Sequence, residues 1–128
     1  MGFQTLFDAA FSVAKPRKLS ETAEAGSVGA AILTAGWHIY TGVCIDTACS
    51  LGFCAEHAAA AAMITAGEQQ ILQVIAVNSE GNILPPCGRC REFLTQLHPD
   101  NHLAKVWLSP DTAATLRELL PFDWKAVL

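Results

Sequence analysis

Two cysteine segments constrain this chain more than any other feature, because a shared site can form only if the fold brings them together. The first is Cys54-Ala55-Glu56, and the second is Pro86-Cys87-Gly88-Arg89-Cys90. Each lies at the start of a predicted helix, where unpaired backbone N–H groups and the helix dipole stabilise a thiolate. The chain has five cysteines, so a complete set of intrachain disulfides is excluded and metal binding or catalysis better explains the cluster.

Zinc is the metal that this donor set favours. Zn²⁺ prefers tetrahedral sulfur and nitrogen ligands, and a Cys-x-x-Cys pair at a helix start is a common half-site. Three ligands, Cys54, Cys87 and Cys90, leave the fourth position open to water, whose pKa zinc lowers to about 7. Glu56 follows Cys54 by two positions but is not needed as a ligand. We therefore expect a zinc site with a free carboxylate beside it that carries protons.

Composition and charge favour a small-molecule partner. The net charge is −4 and the eight Lys and Arg residues are scattered, whereas a nucleic-acid-binding protein would be expected to show a basic stripe. No apolar run approaches the ~20 residues of a membrane span, and the first residues lack the features of a targeting signal. We expect one domain over residues 1–128, located in the cytoplasm, with neither a nucleic-acid polymer nor a membrane as partner. Because only 16% of the residues are charged, we also expect an oligomer.

Hydrophobic periodicity predicts strands that alternate with helices after an opening helix and a hairpin. The predicted helices cover residues 3–14, 54–66, 87–98 and 115–120, and the predicted strands 27–34, 38–46, 71–77 and 103–108. Residues 17–26 are polar and small and are predicted to form a loop. This order is typical of a mixed sheet with helices on both faces, a three-layer α/β/α sandwich.

The cysteine segments are part of a longer resemblance. Cys-Ala-Glu followed by Pro-Cys-x-x-Cys resembles the cytidine deaminase superfamily of zinc-dependent nucleoside deaminases. Further segments resemble that family in the family's order: Val28–Leu33, Tyr40–Val43 and Glu118–Pro121. Residues 86–99, together with Arg117-Glu-Leu-Leu-Pro121, look especially like blasticidin-S deaminase. The resemblance covers roughly residues 25 to 121.

The resemblance implies a mixed five-stranded sheet, a homotetramer and one zinc ion per subunit, bound by the three cysteines of the cluster. It implies that Glu56 holds N3 of a cytosine ring and moves protons from water to the departing amine, giving the uracil form and ammonia. The backbone of Ala55 would lie against the base. The substrate would be a small nucleoside-like molecule.

The sugar-binding side departs from the family pattern. Family members usually carry Asn, and cytidine deaminases also Glu two residues later, where this chain has Cys44 and Asp46. An aromatic residue that often precedes the first strand is absent from residues 20–27. Three aromatic residues are then candidates to stack on the base, the last two from a neighbouring subunit: Phe53, Phe122 and Trp124. The sequence leaves open cytidine, deoxycytidine, blasticidin S or another aminated ring.

A further departure lies beside the zinc ligands. His57 stands where cytidine deaminases usually have an arginine after Cys-Ala-Glu. Three thiolates on Zn²⁺ leave a net negative charge, which a nearby guanidinium can offset by donating hydrogen bonds to sulfur. Arg89 and Arg91 are the candidates, and we favour Arg89 because it lies between two ligands.

Two other interpretations of the cluster stay open at this point. In the first, Cys54, His57, Cys87 and Cys90 close a structural Cys₃His zinc shell, and replacing Glu56 is then harmless. In the second, Cys87 and Cys90 form a thiol-redox pair, which leaves Cys54 and Glu56 without a role.

Overall fold

The computed structural model describes residues 2–128 and contains one mixed sheet with helices on both faces. Four α-helices are present in this range: α1 (Phe3–Val13), α2 (Ala55–Thr65), α3 (Gly88–Gln96) and α4 (Leu116–Leu119). Six strands are present in the same range: β1 (Arg17–Ser20), β2 (Ala23–Thr34), β3 (Ile39–Thr47), β4 (Ile71–Asn78), β5 (Lys105–Ser109) and β6 (Thr112–Thr115). Across residues 2–128, none of the helices combines the length and apolarity that crossing a bilayer demands.

The long strand β2 organises the sheet. It pairs antiparallel with β3 along one side. On its other side it pairs antiparallel with β1 near its start and with β4 further along. β4 and β5 are parallel, and β5 and β6 form an antiparallel hairpin. The sheet is therefore mixed, as predicted.

The sheet has six strands instead of the predicted five, and one predicted loop is partly a strand. Residues 17–20 form β1, and β2 begins at Ala23 instead of residue 27. All four side chains of β1 are exposed, so its sequence has no apolar alternation to reveal a strand. The hairpin strand β6 also went unpredicted, because its residues are exposed or half-buried and directly precede a helix cap.

Alternating residues of β2 face two separate cores, which confirms the three-layer sandwich. Ala30 and Ile32 pack with residues of α2 and α3, whereas Ala31 and Leu33 pack with residues of α1. β4 repeats the pattern along its buried length. The sheet is thus covered by α1 on one face and by α2 and α3 on the other.

Close packing of α2 on β3 fixes the position of the first cysteine segment. A Cβ atom on Gly42 would lie 2.3 Å from the backbone nitrogen of Ala59, so only glycine allows this contact. Ala59 and Ala60 are fully buried on the same side of the helix. The helix therefore rests directly on the strand, with its N-terminus beside the end of β3.

Candidate metal centre and active site

The fold brings the three predicted zinc ligands together. The sulfur atoms of Cys54, Cys87 and Cys90 all lie within 4.8 Å of one another, and those of Cys54 and Cys87 are 3.4 Å apart. Cys54 is the N-cap of α2 and Cys87 the N-cap of α3, while Cys90 lies buried in the first turn of α3. Zn–S bonds of about 2.3 Å place tetrahedral sulfur ligands roughly 3.8 Å apart, so these residues could bind one zinc ion.

The thiol electrostatics also fit a cation at this place. Burial raises the pKa of Cys90 far above its ordinary value, and the nearby charges of Glu56 and Cys54 raise it further. Burial and a hydrogen bond with Cys87 likewise raise the pKa of Cys54. Burial also acts to raise the pKa of Cys87, but backbone N–H groups of α3 and its thiol neighbours lower it overall. When these three thiols lose their protons, the resulting thiolates repel one another. A dication bound between them would stabilise all three.

Glu56 lies in the first turn of α2 and is only 5% exposed. Burial raises the pKa of its carboxyl group, although a backbone hydrogen bond partly opposes this shift. The side chain lines a cavity of about 190 Å³ together with Cys54 and Cys87. Ala55, predicted to lie against the base, lines the same cavity. A carboxyl group with a raised pKa beside a candidate metal centre is suited to accept and return protons.

The small cavity adjoins a larger cleft on the side of β3. The two share Cys44 and Cys54, and the cleft has a volume of about 360 Å³. Asp46, Phe53 and Arg89 also line the cleft. The structure thus gathers most of the predicted substrate-binding residues beside the zinc ligands, with a small inner space and a wider outer one.

Cys44 and Asp46 differ in how they face this cleft. The sulfur of Cys44 is buried, accepts a hydrogen bond from the backbone N–H of Val28 at 3.3 Å and lies 3.1 Å from the hydroxyl oxygen of Ser27. Asp46 lies two residues further on the same face of β3 and is exposed. Asp46 is therefore the residue of this pair that is open to a ligand.

His57 is not part of the metal cluster. Among residues 2–128, the grouped metal-binding side chains at this place are the three cysteines alone. The ring of His57 instead stacks between Phe53, at 4.8 Å, and Phe93, at 4.4 Å and nearly parallel. Burial lowers its pKa, and the charge of Arg89 lowers it further. The closed Cys₃His shell is thus wrong for the structure, and the convergence of three sulfurs disfavours a simple two-thiol redox pair.

The two candidate arginines take different positions. Arg91 donates hydrogen bonds to the carbonyl oxygens of Pro86, at 2.8 Å, and Leu119, at 3.0 Å. Arg89 is exposed, lines the cleft and lies near enough to His57 to affect its pKa. That Arg89 offsets the negative charge of the thiolates stays a prediction. The contacts of Arg91 suggest that it fixes residues 86–90, the segment that carries two of the predicted zinc ligands.

Phe122 and Trp124 lie away from the cavities around the cluster of their own chain. Phe122 is fully exposed. Trp124 donates a hydrogen bond from Nε1 to Glu92 on the outer part of α3 at 3.0 Å. Stacking of either ring on a base in a neighbouring subunit therefore stays a prediction.

Sequence reasoning missed several residues of the inner cavity. Val28, Ala76, Leu84 and Pro85 form its apolar wall. Leu84 and Pro85 directly precede the second cysteine segment, a signal that could have placed them near the site. Val28 and Ala76 come from β2 and β4, and only the pairing of these strands reveals their position.

Comparisons with known proteins agree with this site. A family model described as "Cytidine and deoxycytidylate deaminase zinc-binding region" matches residues 4–105. A cytidine deaminase of Halalkalibacterium halodurans is 31% identical over 99 residues, which are 73% of this chain and 74% of the relative. A cytidine deaminase of Mycobacterium tuberculosis (strain H37Rv) is 35% identical over 71 residues, which are 55% of this chain and 53% of the relative. That match spans only about half the length of the relative.

Solved structures share the fold over nearly the whole chain. A crystal structure of cytidine deaminase from Mycobacterium tuberculosis matches with a TM-score of 0.79 and 28% identity, covering 94% of this chain and 95% of the other. The cytidine deaminase from Mycobacterium leprae gives a TM-score of 0.78 and 28% identity, covering 94% and 98%. With the match of the family model over most of its length, this chain belongs to the cytidine and deoxycytidylate deaminase zinc-binding family.

Proposed function

We propose that this protein is a zinc-dependent hydrolytic deaminase that converts a cytosine-type nucleoside to its uracil form and releases ammonia. The observation that supports the proposal most directly is the buried Glu56 carboxyl, which shares one small cavity with the zinc ligands Cys54 and Cys87. A structural zinc site has no need of such a group. Family membership and the names of the relatives support the same reaction.

The protein residues supply binding and proton transfer. When bound by the three cysteines, zinc supplies a Lewis acid that makes a water molecule acidic enough to lose a proton near neutral pH. Glu56 accepts that proton and delivers it to ring N3, where it stays in the uracil form. Glu56 then takes the second proton from the new C4 hydroxyl and passes it to the amine nitrogen. In balance, the water oxygen bonds to C4, the C4–N bond breaks, and the amine leaves as ammonia. The raised pKa of Glu56 suits a group that must both take and give a proton.

The shape of the site suggests how a nucleoside lies in it. The inner cavity of about 190 Å³ accommodates a pyrimidine ring between the Ala55 backbone and apolar walls. The sugar then lies in the outer cleft, near Cys44 and Asp46, with Phe53 beside it. Cytidine, deoxycytidine and nucleoside antibiotics of the blasticidin S class are the substrates we propose, with other aminated rings as the alternative.

We further propose that the protein is located in the cytoplasm and forms a homotetramer. Assembly is supported by several large apolar side chains that are exposed on the single chain. Leu51 is 79% exposed, and Phe122 is exposed completely. Packing against other copies would remove such side chains from water. Sedimentation analysis of the purified protein measures the assembly directly.

Replacing Glu56 with Gln tests the mechanism. We expect ammonia release to fall by at least about 100-fold, because no group remains to move the proton, while bound zinc stays near one per subunit. The matched control is Asp8→Asn, which removes an exposed carboxylate on α1, across the sheet from the site. Ammonia release should be measured over cytidine, deoxycytidine, blasticidin S and aminopurine nucleosides. Turnover retained by Glu56→Gln would contradict the assigned mechanism.

A further inference from the structure

Three aromatic rings form a stack at the edge of the site. The imidazole of His57 lies between two phenyl rings, with its centroid 4.4 Å from that of Phe93 and 4.8 Å from that of Phe53. The His57 and Phe93 rings are nearly parallel, at 7°. His57 lies in the first turn of α2, just after the predicted ligand Cys54, and Phe93 lies one turn after Cys90 on α3. The stack therefore connects the two helices that carry the cysteines with the segment that contains Phe53.

Both ends of the stack are attached to the rest of the fold. At one end, Phe93 packs against the core on the side of α2 and α3. At the other end, the backbone of Phe53 exchanges two hydrogen bonds of 3.0 Å with Ile45 of β3. A Cβ atom on the preceding Gly52 would lie 1.8 Å from the carbonyl oxygen of Ile45, so only glycine allows this close approach. The backbone of Phe53 is thus fixed on β3, and its ring stacks on His57.

The contacts of His57 indicate that its ring serves as a flat surface. Its Nδ1 atom is buried and has no hydrogen-bond partner among residues 2–128. Its side chain is also outside the group of metal-binding cysteines in the same range. A buried polar atom without a partner lowers stability, and phenylalanine, which has a ring of similar shape, lacks such an atom. A local feature that lowers stability is typical of residues at functional sites.

The ring of Phe53 lies where a nucleoside would extend out of the inner cavity. Phe53 lines the outer cleft, which shares Cys44 with the inner cavity that contains Glu56. His57 is not among the residues that line either space. A side chain that is already fixed binds a ligand without losing rotational freedom, whereas a mobile one must first be ordered. His57 can therefore affect substrate binding through Phe53, without touching the substrate.

We infer that His57 is a positioning residue: its ring, supported by Phe93, fixes the ring of Phe53 as a wall of the cleft and so increases affinity for the part of the substrate outside the inner cavity. The inference rests on the proposed function, since it takes that part to be the sugar of a cytosine nucleoside. It assigns to His57 neither a proton transfer nor a bond to metal. Substrate affinity then requires an aromatic ring at position 57, and not a charge or a hydrogen bond.

Substitutions at position 57 test this role. His57→Phe keeps an aromatic ring, so we expect KM for cytidine to stay within about twofold of the wild type. His57→Leu and His57→Gln remove the ring and should raise KM by about two- to tenfold, the effect of one aromatic pair, while kcat and bound zinc change by less than about twofold. His38→Leu is the matched control, because His38 is an exposed histidine beside the opposite end of β3. An unchanged KM in folded His57→Leu or His57→Gln would overturn the inference, as would a raised KM in His57→Phe together with a normal KM in His57→Gln.

A double-mutant cycle shows whether His57 acts through Phe53. Phe53→Leu should raise KM at least as much as His57→Leu, and the two changes together should raise it no further than Phe53→Leu alone. Effects on KM that multiply would mean that His57 acts independently of Phe53. Parallel loss of zinc and kcat in His57→Leu would instead make His57 part of the metal centre. Either result overturns the positioning role.

Binding measurements separate this role from the proposed deamination. Dissociation constants of cytidine for zinc-loaded Glu56→Gln, with and without the same changes at positions 53 and 57, do not depend on turnover. If they follow the expected pattern while the wild type releases no ammonia, the positioning role stands and deamination is wrong. If cytidine is deaminated but His57→Leu changes neither KM nor the dissociation constant, the positioning role is wrong and deamination stands. Absence of cytidine binding would also overturn the positioning role.

Discussion

The guanidinium of Arg91 donates a hydrogen bond to the carbonyl oxygen of Pro86, the residue immediately before the ligand Cys87, at 2.8 Å. A second hydrogen bond, of 3.0 Å, runs to the carbonyl oxygen of Leu119 at the end of α4. Arg91 itself lies next to the ligand Cys90. One side chain therefore connects both sides of the Cys-x-x-Cys segment to the C-terminal part of the chain.

Replacing Arg91 with Ala should destabilise residues 86–90, the segment that carries Cys87 and Cys90. Each hydrogen bond from a charged donor contributes about 1.5–3 kcal/mol, so we expect loss of the two to lower the free energy of unfolding by about 3 kcal/mol or more. We also expect zinc affinity to fall by about tenfold, as for other groups that orient metal ligands. Urea unfolding and competition with a chelator measure the two effects. Arg117→Ala is the control, because Arg117 is exposed on α4.

The same assay distinguishes the two arginines. If Arg89 offsets the thiolate charge, Arg89→Ala should weaken zinc binding with little change in unfolding free energy, because its side chain is exposed. Loss of zinc affinity in Arg89→Ala alone would show that Arg91 has no part in holding the metal. Equal stability of Arg91→Ala and the wild type would contradict the role of its two hydrogen bonds.

Asn101 is predicted to be among the most costly residues to replace outside the site. It is fully buried, accepts a hydrogen bond from the backbone N–H of Ile71 at 2.8 Å, and donates to the carbonyl oxygens of Gln69 and Leu94. Asn101→Leu would take these partners from three backbone groups, and those of Ile71 and Leu94 are buried. We expect a loss of about 3–5 kcal/mol in the free energy of unfolding, measured by urea denaturation. Asp100→Ala, at an exposed neighbouring position, should change it by less than about 0.5 kcal/mol.

Asn101 also shows what could not be predicted from the sequence. The cluster of Cys54, Cys87 and Cys90 was predictable, because each cysteine lies in a short segment whose residue types and helix-start position already indicate metal chemistry. In the structure, Thr115 and Glu118 form a capping box within four consecutive residues, a contact that is local in the same way. The partners of Asn101 are backbone groups from other segments, and the exposed strand β1 lacks a hydrophobic signal. Such features depend on the tertiary arrangement alone.

Glu68 should make stability depend on pH in acid. Its carboxylate accepts hydrogen bonds from Tyr40 at 2.5 Å and Thr34 at 2.7 Å, which lower its pKa below the ordinary value of 4.5, with a further contribution from His38. A carboxyl whose pKa is lower in the folded state stabilises the protein above the unfolded-state pKa and loses this effect as pH falls through the folded-state pKa. We therefore expect Glu68→Gln to be less stable than the wild type at pH 7.

The difference between Glu68→Gln and the wild type should shrink as the pH falls below about 4.5. Urea unfolding at a series of pH values from neutral to about 3 measures it. Glu80→Gln is the matched control, since Glu80 is exposed and should give a small difference at every pH. A stability difference for Glu68→Gln that does not depend on pH would mean that the hydrogen bonds do not distinguish the ionised carboxylate.

Phe122 combines full side-chain exposure with a backbone φ of 55°, in the left-handed region. Both features are unfavourable for an aromatic residue in an isolated chain, and a positive φ costs it roughly 1–2 kcal/mol. Contact with a neighbouring subunit would explain why the residue is tolerated. If its ring stacks on a base there, Phe122→Ala should raise KM by about fivefold or more, since stacking contributes about 1–3 kcal/mol.

A glycine at the same position separates substrate contact from backbone strain. Phe122→Gly relieves the positive φ while removing the ring, so it should match Phe122→Ala in KM but exceed it in unfolding free energy. Sedimentation at several concentrations shows whether both variants weaken the assembly. An unchanged KM together with unchanged sedimentation would remove Phe122 from both the neighbouring site and the subunit interface. A raised KM with intact assembly would instead place the ring in the neighbouring site, because loss of the ring then weakens substrate binding alone.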